Sequence, residues 1–285
     1  IDDPEILPKV TKEDIPLSRN YPNPNISVVN NIENYFYKSG TNGLVYHSML
    51  FPCEALTIDE LKIASLFTSS LTDIGLGSDS YEDIQKYQSS ITGGISASFT
   101  MIPNKGDSEH KLALKISGKS LEKNAHLMQD LMIRTVQEAN FGEHQRIQEL
   151  LSFISADNEQ SLTQNGHVLA MANAASQLTE VASTNDLTSG IRFINNTGLL
   201  SKNISDEGSL DIYIKNLKSI QSKISLTPKN IFTASSLNPD EMDLKSFSGL
   251  NAADVDEQNF IKVQDKSIGW ITGSQVCFCA EAFPT

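Results

Sequence analysis

The hydrophobic pattern between Leu44 and Met101 changes period repeatedly, and each change marks an element. Leu44 to Phe51 is apolar on both sides: Leu44, Tyr46 and Leu50 point one way, Val45, Met49 and Phe51 the other. A strand of this kind lies inside a sheet or under a second layer. Pro52 ends it. Thr57 and Glu60 stand at capping-box spacing, where the threonine oxygen accepts from an early helix N–H and the glutamate reaches back. Leu61, Ala64, Phe67, Leu71 and Ile74 then recur at helical spacing, widened by Ile63 and Leu66, so a helix is expected over 58–74. Gly75 and Gly77 can take the positive φ that stops it. A second helix opens at Ser80 with Tyr81, Ile84, Tyr87 and Ile91 inward, and stops at Gly93-Gly94. Ile95, Ala97, Phe99 and Met101 then alternate with Ser96, Ser98 and Thr100 as a strand. After a polar loop containing Gly106, Leu112, Leu114 and Ile116 alternate with Lys111, Ala113 and Lys115, which predicts a hairpin.

Residues 1–26 are rich in proline and lack periodicity, as an extended linker does. Ser27 to Lys38 reads as an edge strand broken near Asn30-Asn31. Ser120 is placed to cap a helix running to about Ala139, with Leu121, Ala125, Met128, Leu131 and Thr135 inward. Helical spacing continues from Glu143 to about Val181, interrupted near Gly166, and a short helix is expected from Asp186 to about Asn195. Leu210, Tyr213, Leu217, Ile220 and Ile224 form the stripe of another helix, and Asn230 to Leu237 returns as a strand. Asp240 to Leu250 reads as a short helix, and the polar stretch 251–267 as a second linker. Trp270 to Phe283 reads as a strand opening a further, truncated domain over 268–285, which leaves 27–250 as the main domain. Helices grouped between antiparallel strands predict the α+β class: a two-layer sandwich, mainly antiparallel, with helices packed on one face of the sheet.

Composition narrows the function classes. The 285 residues are 39% hydrophobic and 20% charged, which suits a globular chain. A net charge of −13 argues against nucleic acid, because binding phosphates needs a basic face, and permits a cationic peptide partner. A run of about 18 apolar residues is absent, so no membrane span is expected. The chain opens IDDPEILPK, without Met and without the apolar core of a signal peptide, and reads as a piece of a longer protein. Cys53, Cys277 and Cys279 are odd in number and lack framework spacing, which fits a reducing compartment, cytoplasm or organelle matrix. All three are expected to be packed thiols; the C-x-C of Cys277 and Cys279 is neither a redox C-x-x-C nor a zinc knuckle.

A family resemblance emerges from TNGLVYHSMLF (41–51), followed by SLFTSSLTDIG (65–75), SYEDIQKYQSSITGGISAS (80–98) and FGEHQRIQELLS (141–152). In their order and spacing these resemble the pitrilysin/insulinase zinc peptidases, in particular the presequence-protease and falcilysin branch. LPKVTKEDIP (7–16) resembles that branch's lead-in to its C-terminal half, and SLTQNGHVLAMANAAS (161–176) its glycine-interrupted helix. The resemblance covers roughly Leu7 to Pro284. It implies a parent metalloendopeptidase that encloses unstructured peptides between two bowl-shaped halves, with zinc in the N-terminal half. This chain would be the first domain of the other half, partnered by the catalytic half. The alternative is a scaffold or peptide-binding module of the same fold, whose parent lacks zinc chemistry.

The family's zinc motif is H-x-x-E-H on a helix, two histidines on one face and a glutamate that polarises the bound water. The five histidines are His47, His110, His126, His144 and His167, and no two are four apart. The comparable helix over 58–74 shows Lys62, Ile63, Leu66 and Phe67 instead. No catalytic, cofactor or metal residue is therefore assigned, and the substrate-binding residues are left unknown. Glu143-His144 reads as a solvated helix start, His47 as a satisfied core histidine, and His167 as a cap or hydrogen-bonding group at a helix break. Gly118-Lys119-Ser120 lies where a phosphate loop would, but Ala113 stands in place of the required first glycine. Gly93-Gly94 reads as a turn from helix into strand, and no G-x-S-x-G elbow is present.

Overall fold

A computed structural model of the chain describes residues 10–18, 21–103, 110–239, 268–271 and 277–283. In chain order the elements are β1 (Asn25–Val29), β2 (Ile32–Lys38), β3 (Leu44–Cys53), α1 (Ile58–Leu71), α2 (Tyr81–Ile91), β4 (Ile95–Pro103) and β5 (His110–Leu121). There follow α3 (Ala125–Gln137), α4 (His144–Gln164), α5 (Gly166–Ala175), α6 (Glu180–Ser189), α7 (Ile191–Asn203), α8 (Glu207–Lys223) and β6 (Asn230–Ser235). The strands form one sheet in the order β1-β2-β6-β3-β5-β4. Only β2 and β6 run parallel. Helices cover one face, which gives the expected α+β two-layer sandwich.

The core lies between that face and the helices. Val45, Met49 and Phe51 of β3, with Leu114 and Ile116 of β5, are fully buried, and against them pack Leu61, Phe67, Met128, Met132, Ile147 and Leu217. Phe67 stacks on Phe141 at 5.5 Å between ring centres and on Phe99 of β4 at 6.0 Å. The opposite sheet face has no helix on it among the described residues: Tyr46 is 45% exposed, and Leu44, Ser48 and Leu50 are half-buried. β3 is thus interior by its hydrogen bonds but covered on one side only, although its pattern is apolar on both.

The capping box at Thr57 forms as expected, with Thr57 N donating to Glu60 Oε2 at 2.7 Å and Glu60 N donating to Thr57 Oγ1 at 3.3 Å. The β4–β5 hairpin forms in register Ser98↔Lys115, and α8 and β6 match their expected positions within a few residues.

Elsewhere the structure corrects the pattern. The break at Asn30-Asn31 is a hairpin turn, with φ of 51° and 63°, that pairs β1 antiparallel to β2; asparagine tolerates these left-handed positions. Ser120 does not cap a helix: β5 runs on to Leu121 because Leu44 and Val45 pair with Leu121 and Ser120, and α3 starts only at Ala125. The helix expected over 186–195 splits at Gly190 between α6 and α7. Tyr87 of α2 faces solvent, leaving Ile84 and Ile91 as the buried side. Gly77 takes the positive φ (59°), whereas Gly75 is retained for space, since a Cβ there would run into the Asp79 carbonyl. Residues 268–271 and 277–283 contain no strand, and Cys277 and Cys279 are exposed rather than packed, since no sheet neighbour among the described residues covers them. The expected helix Asp240–Leu250 and linker 251–267 lie outside the described residues.

Candidate functional site

α1 follows β3, occupies the centre of the helical layer and touches α4, α6, α7, α8 and β4. Its first turn carries Glu60, which is 4% exposed. Lys223 at the end of α8 donates to Glu60 Oε2 at 2.6 Å, and Ser219 Oγ donates to Oε1 at 2.7 Å. Burial works against the Glu60 charge, but Lys223, the Thr57 N–H and the two hydroxyls outweigh it and hold the carboxyl below its usual range. Glu60 therefore caps α1 and also ties it to α8, a second role that a local motif does not reveal.

Further along, α1 offers no chemistry. Ile63, Leu66 and Phe67 are 8%, 1% and 0% exposed, deep in the core, and Lys62 reaches back to Asp59 at 2.8 Å. No imidazole or carboxylate could approach a metal from these positions. Among the described residues, no group of three or more His, Cys, Asp or Glu side chains is placed to hold a metal ion.

The remaining candidates prove to be structural. His47 is 1% exposed on the helix-covered face, with Nδ1 3.0 Å from Thr233 Oγ1 of the neighbouring β6 and Nε2 without a partner. Burial alone pushes its pKa down to about 4, so it stays neutral at ordinary pH. It is a core histidine, though only half satisfied. Glu143 is not a solvated helix start: its carboxylate accepts from Gly75 N at 2.6 Å and Tyr81 N at 3.2 Å, closing the α1–α2 connection against the start of α4, while His144 beside it is exposed. Gly118-Lys119-Ser120 lies within β5, so it makes no phosphate loop. Gly93 donates to the Lys119 carbonyl at 2.7 Å, and Gly94 takes a φ of 110°, which favours glycine at this turn. Burial raises the Cys53 thiol to about 12, which makes it inert.

Sequence reasoning missed a buried hub in the helical layer. Asp186 of α6 is 1% exposed and accepts from Arg192 Nε at 2.6 Å, Asn173 Nδ2 at 2.9 Å and Ile191 N at 3.1 Å. Arg192 also donates to the Ser183 carbonyl at 2.6 Å. Asn173 in turn accepts from the Trp270 indole at 3.3 Å, so the C-terminal tract is bonded to α5. Phe278 lies over Gly166, and its ring stands 6.1 Å from that of His167. His167 is thus exposed and meets a ring, whereas the sequence suggests a cap or hydrogen-bonding group at the helix break.

The arrangement as a whole is a helix-backed sheet with buried polar ties and no assembled nucleophile, base or metal cluster among the described residues. The family model described as Peptidase M16 subfamily C associated matches residues 2–199. The chain belongs to this family. Relatives of this peptidase-associated chain include the mitochondrial presequence protease of Gibberella zeae, 28% identical over 236 residues, covering 80% of this chain and 23% of that protein. The mitochondrial presequence protease of Drosophila melanogaster is 24% identical over 221 residues (77% and 21%). Presequence protease 1, chloroplastic/mitochondrial, of Arabidopsis thaliana is 24% identical over 209 residues (72% and 19%). The peptidase-associated chain therefore spans about a fifth of the length of the curated relatives it matches. A solved structure of a conserved protein from Enterococcus faecalis V583 overlays with a TM-score of 0.49 at 12% identity, covering 80% of this chain and 51% of that one. Among the described residues, no helix is long and apolar enough to cross a membrane.

Proposed function

We propose that this chain is a non-catalytic wall and support domain of a zinc metalloendopeptidase that encloses and degrades unstructured peptides. Zinc would be held by an N-terminal half, which is also this domain's partner, and the parent would work in an organelle matrix. What carries the reading is the pairing of two facts. The chain belongs to a peptidase-associated family, and α1, the helix that the resemblance would compare with the zinc helix, points Ile63, Leu66 and Phe67 into the core. The residues present do not fit a metal, so no step of hydrolysis is derived from them. Their part is to keep α1, α8 and the sheet as one stiff body, through Glu60–Lys223 and the Asp186 hub, so that a catalytic half could close against it and exclude water.

The test is to obtain the coding sequence that flanks this segment and express the parent with and without residues 1–285. The expected result is chelator-sensitive cleavage of an unstructured fluorogenic peptide by the parent, loss on deletion of the segment, and no cleavage by the segment alone. A parent lacking H-x-x-E-H would favour a scaffold or binding module instead. Cleavage by the segment alone that persists with chelator would overturn the reading.

A further inference from the structure

β4 is one edge of the sheet, with β5 its only strand neighbour among the described residues. Its helix-side residues Ile95, Ala97, Phe99 and Met101 are only half-buried. Their counterparts one strand inward, Leu112, Leu114 and Ile116, are 3%, 0% and 0% exposed. The helical cover therefore thins over β4, where α1 still reaches Phe99 through Phe67 but leaves the edge half open. Beside this edge lies a cavity of about 400 Å³, lined by Phe99 and Met101 of β4, Leu61 and Ala64 of α1, and Val181 and Thr188 of α6. A sheet edge with free backbone groups is a template for a further strand.

The other face of the same two strands has a different chemistry. Lys115 and Lys119 of β5 are exposed and Lys111 half-buried, and none of the three side chains enters an ion pair among the described residues. On β4 the short Ser98 stands directly opposite Lys115, flanked by Ser96 and Thr100, while Ile102 stands opposite Lys111. A strand added to β4 would lie roughly 10 Å from β5, two strand spacings away. The flexible stem of Lys115 can lean across Ser98 towards its side chains, and Lys119 stands beside Gly93, which has no side chain to block it. In a chain of net charge −13 this strip is a local exception. An acidic peptide finds on this strip cations that carry no ion pair among the described residues.

We infer that β4 is a receiving edge for an extended peptide whose residues alternate apolar and acidic. The peptide adds to the sheet through its backbone, sets its apolar side chains against Phe99 and Met101 over the cavity, and turns its carboxylates towards Lys115 and Lys119. The other edge, β1, is exposed along all five residues and has none of the cavity lining, so it does not compete as a selective site. A second copy of this chain joined edge to edge would bring lysine strip near lysine strip, which disfavours it. The inference stands apart from the chamber reading, because it is measured on the 285-residue chain with no catalytic half present.

The experiment titrates the chain into fluorescein-labelled peptide of alternating valine and glutamate, read by anisotropy at low and at physiological salt. A valine–lysine peptide and a proline-interrupted valine–glutamate peptide serve as controls. The expected result is binding of the first peptide, about tenfold weaker for Lys115→Glu/Lys119→Glu, with slowed amide exchange confined to 95–103. The proline-interrupted control should not bind, since it lacks backbone donors. If the charge reversal impairs folding, Lys115→Gln/Lys119→Gln gives the same ordering with a smaller loss. Affinity unchanged by both double variants, protection at β1 instead of β4, or tighter binding of the lysine peptide overturns the inference. So does a sedimenting dimer of the chain that occupies β4.

Discussion

Acidification should weaken this fold through His47 in a way that can be isolated. The imidazole is fully enclosed between β3, β6 and the helical layer, with one nitrogen bonded to Thr233 and the other unpartnered. Its folded pKa is about 4 against 6.5 for the free side chain. The unfolded chain therefore takes up the proton first. The stability that neutral His47 contributes is complete above pH 6.5, is lost as pH falls from there to about 4, and changes no further below. At about 1.4 kcal/mol per unit of pKa, the whole loss is about 3 kcal/mol, of which about 2 kcal/mol is gone by pH 5. Carboxylates titrate over part of the same range, so the comparison must be with a variant. His47→Gln keeps a group that can bond Thr233 and removes the titration. Urea unfolding followed by far-ultraviolet circular dichroism at pH 7, 6, 5 and 4.5 should show His47→Gln less stable than the parent at pH 7. That gap should shrink by about 2 kcal/mol at pH 5. Parallel stability–pH curves for the two proteins would refute the reasoning.

The ties between helices make further predictions. Glu60→Ala leaves Lys223 without its charge partner and removes the carboxylate half of the capping box of α1, and should cost about 3 kcal/mol in denaturant unfolding. The double variant Glu60→Met/Lys223→Met should recover much of that, since a buried pair replaced by packed apolar side chains is often near neutral. Gly190→Ala drives a Cβ into Asp186 and should cost about 2 kcal/mol, visible as a lower Tm. Asn173→Leu removes the acceptor of the Trp270 indole, and should shift the emission of the only tryptophan to the red and quicken proteolysis within 268–283. Mass spectrometry of the dialysed chain should find no stoichiometric zinc; a full equivalent would contradict the assignment of no metal site.

Much of the fold was legible because many of its signals are local. The Thr57–Glu60 box, the stripe of α1, the β4–β5 alternation and the stripe of α8 each involve residues within a few positions of one another. The misreadings have a common origin. Ser120 has the residue type of a cap, but pairing with Val45, far back in the chain, keeps it in a strand. Asn30-Asn31 looked like a flaw in one strand, since nothing local says that β1 must fold back on β2. Cys277 and Cys279 alternate as a packed strand would, yet a strand needs a neighbour, and none among the described residues covers them. The absence of H-x-x-E-H could be read directly from the sequence, whereas the Asp186 hub could not. Its members Asn173, Asp186 and Arg192 are ordinary polar residues until α5, α6 and α7 bring them together.

By itself, the order of residues determined most of the segments that are helix or strand, where several of them are capped, and that no zinc pentad is present. Periodicity and cap spacing act over a turn or two of chain, and burial of an apolar stripe follows from them. Only the tertiary structure decided that β6 enters between β2 and β3, that Glu60 meets Lys223 across 163 positions, and that lysines and a cavity flank one open edge. Those contacts form between distant segments, and their pairing depends on the packing of the whole sheet against its helices, which no short window of sequence contains.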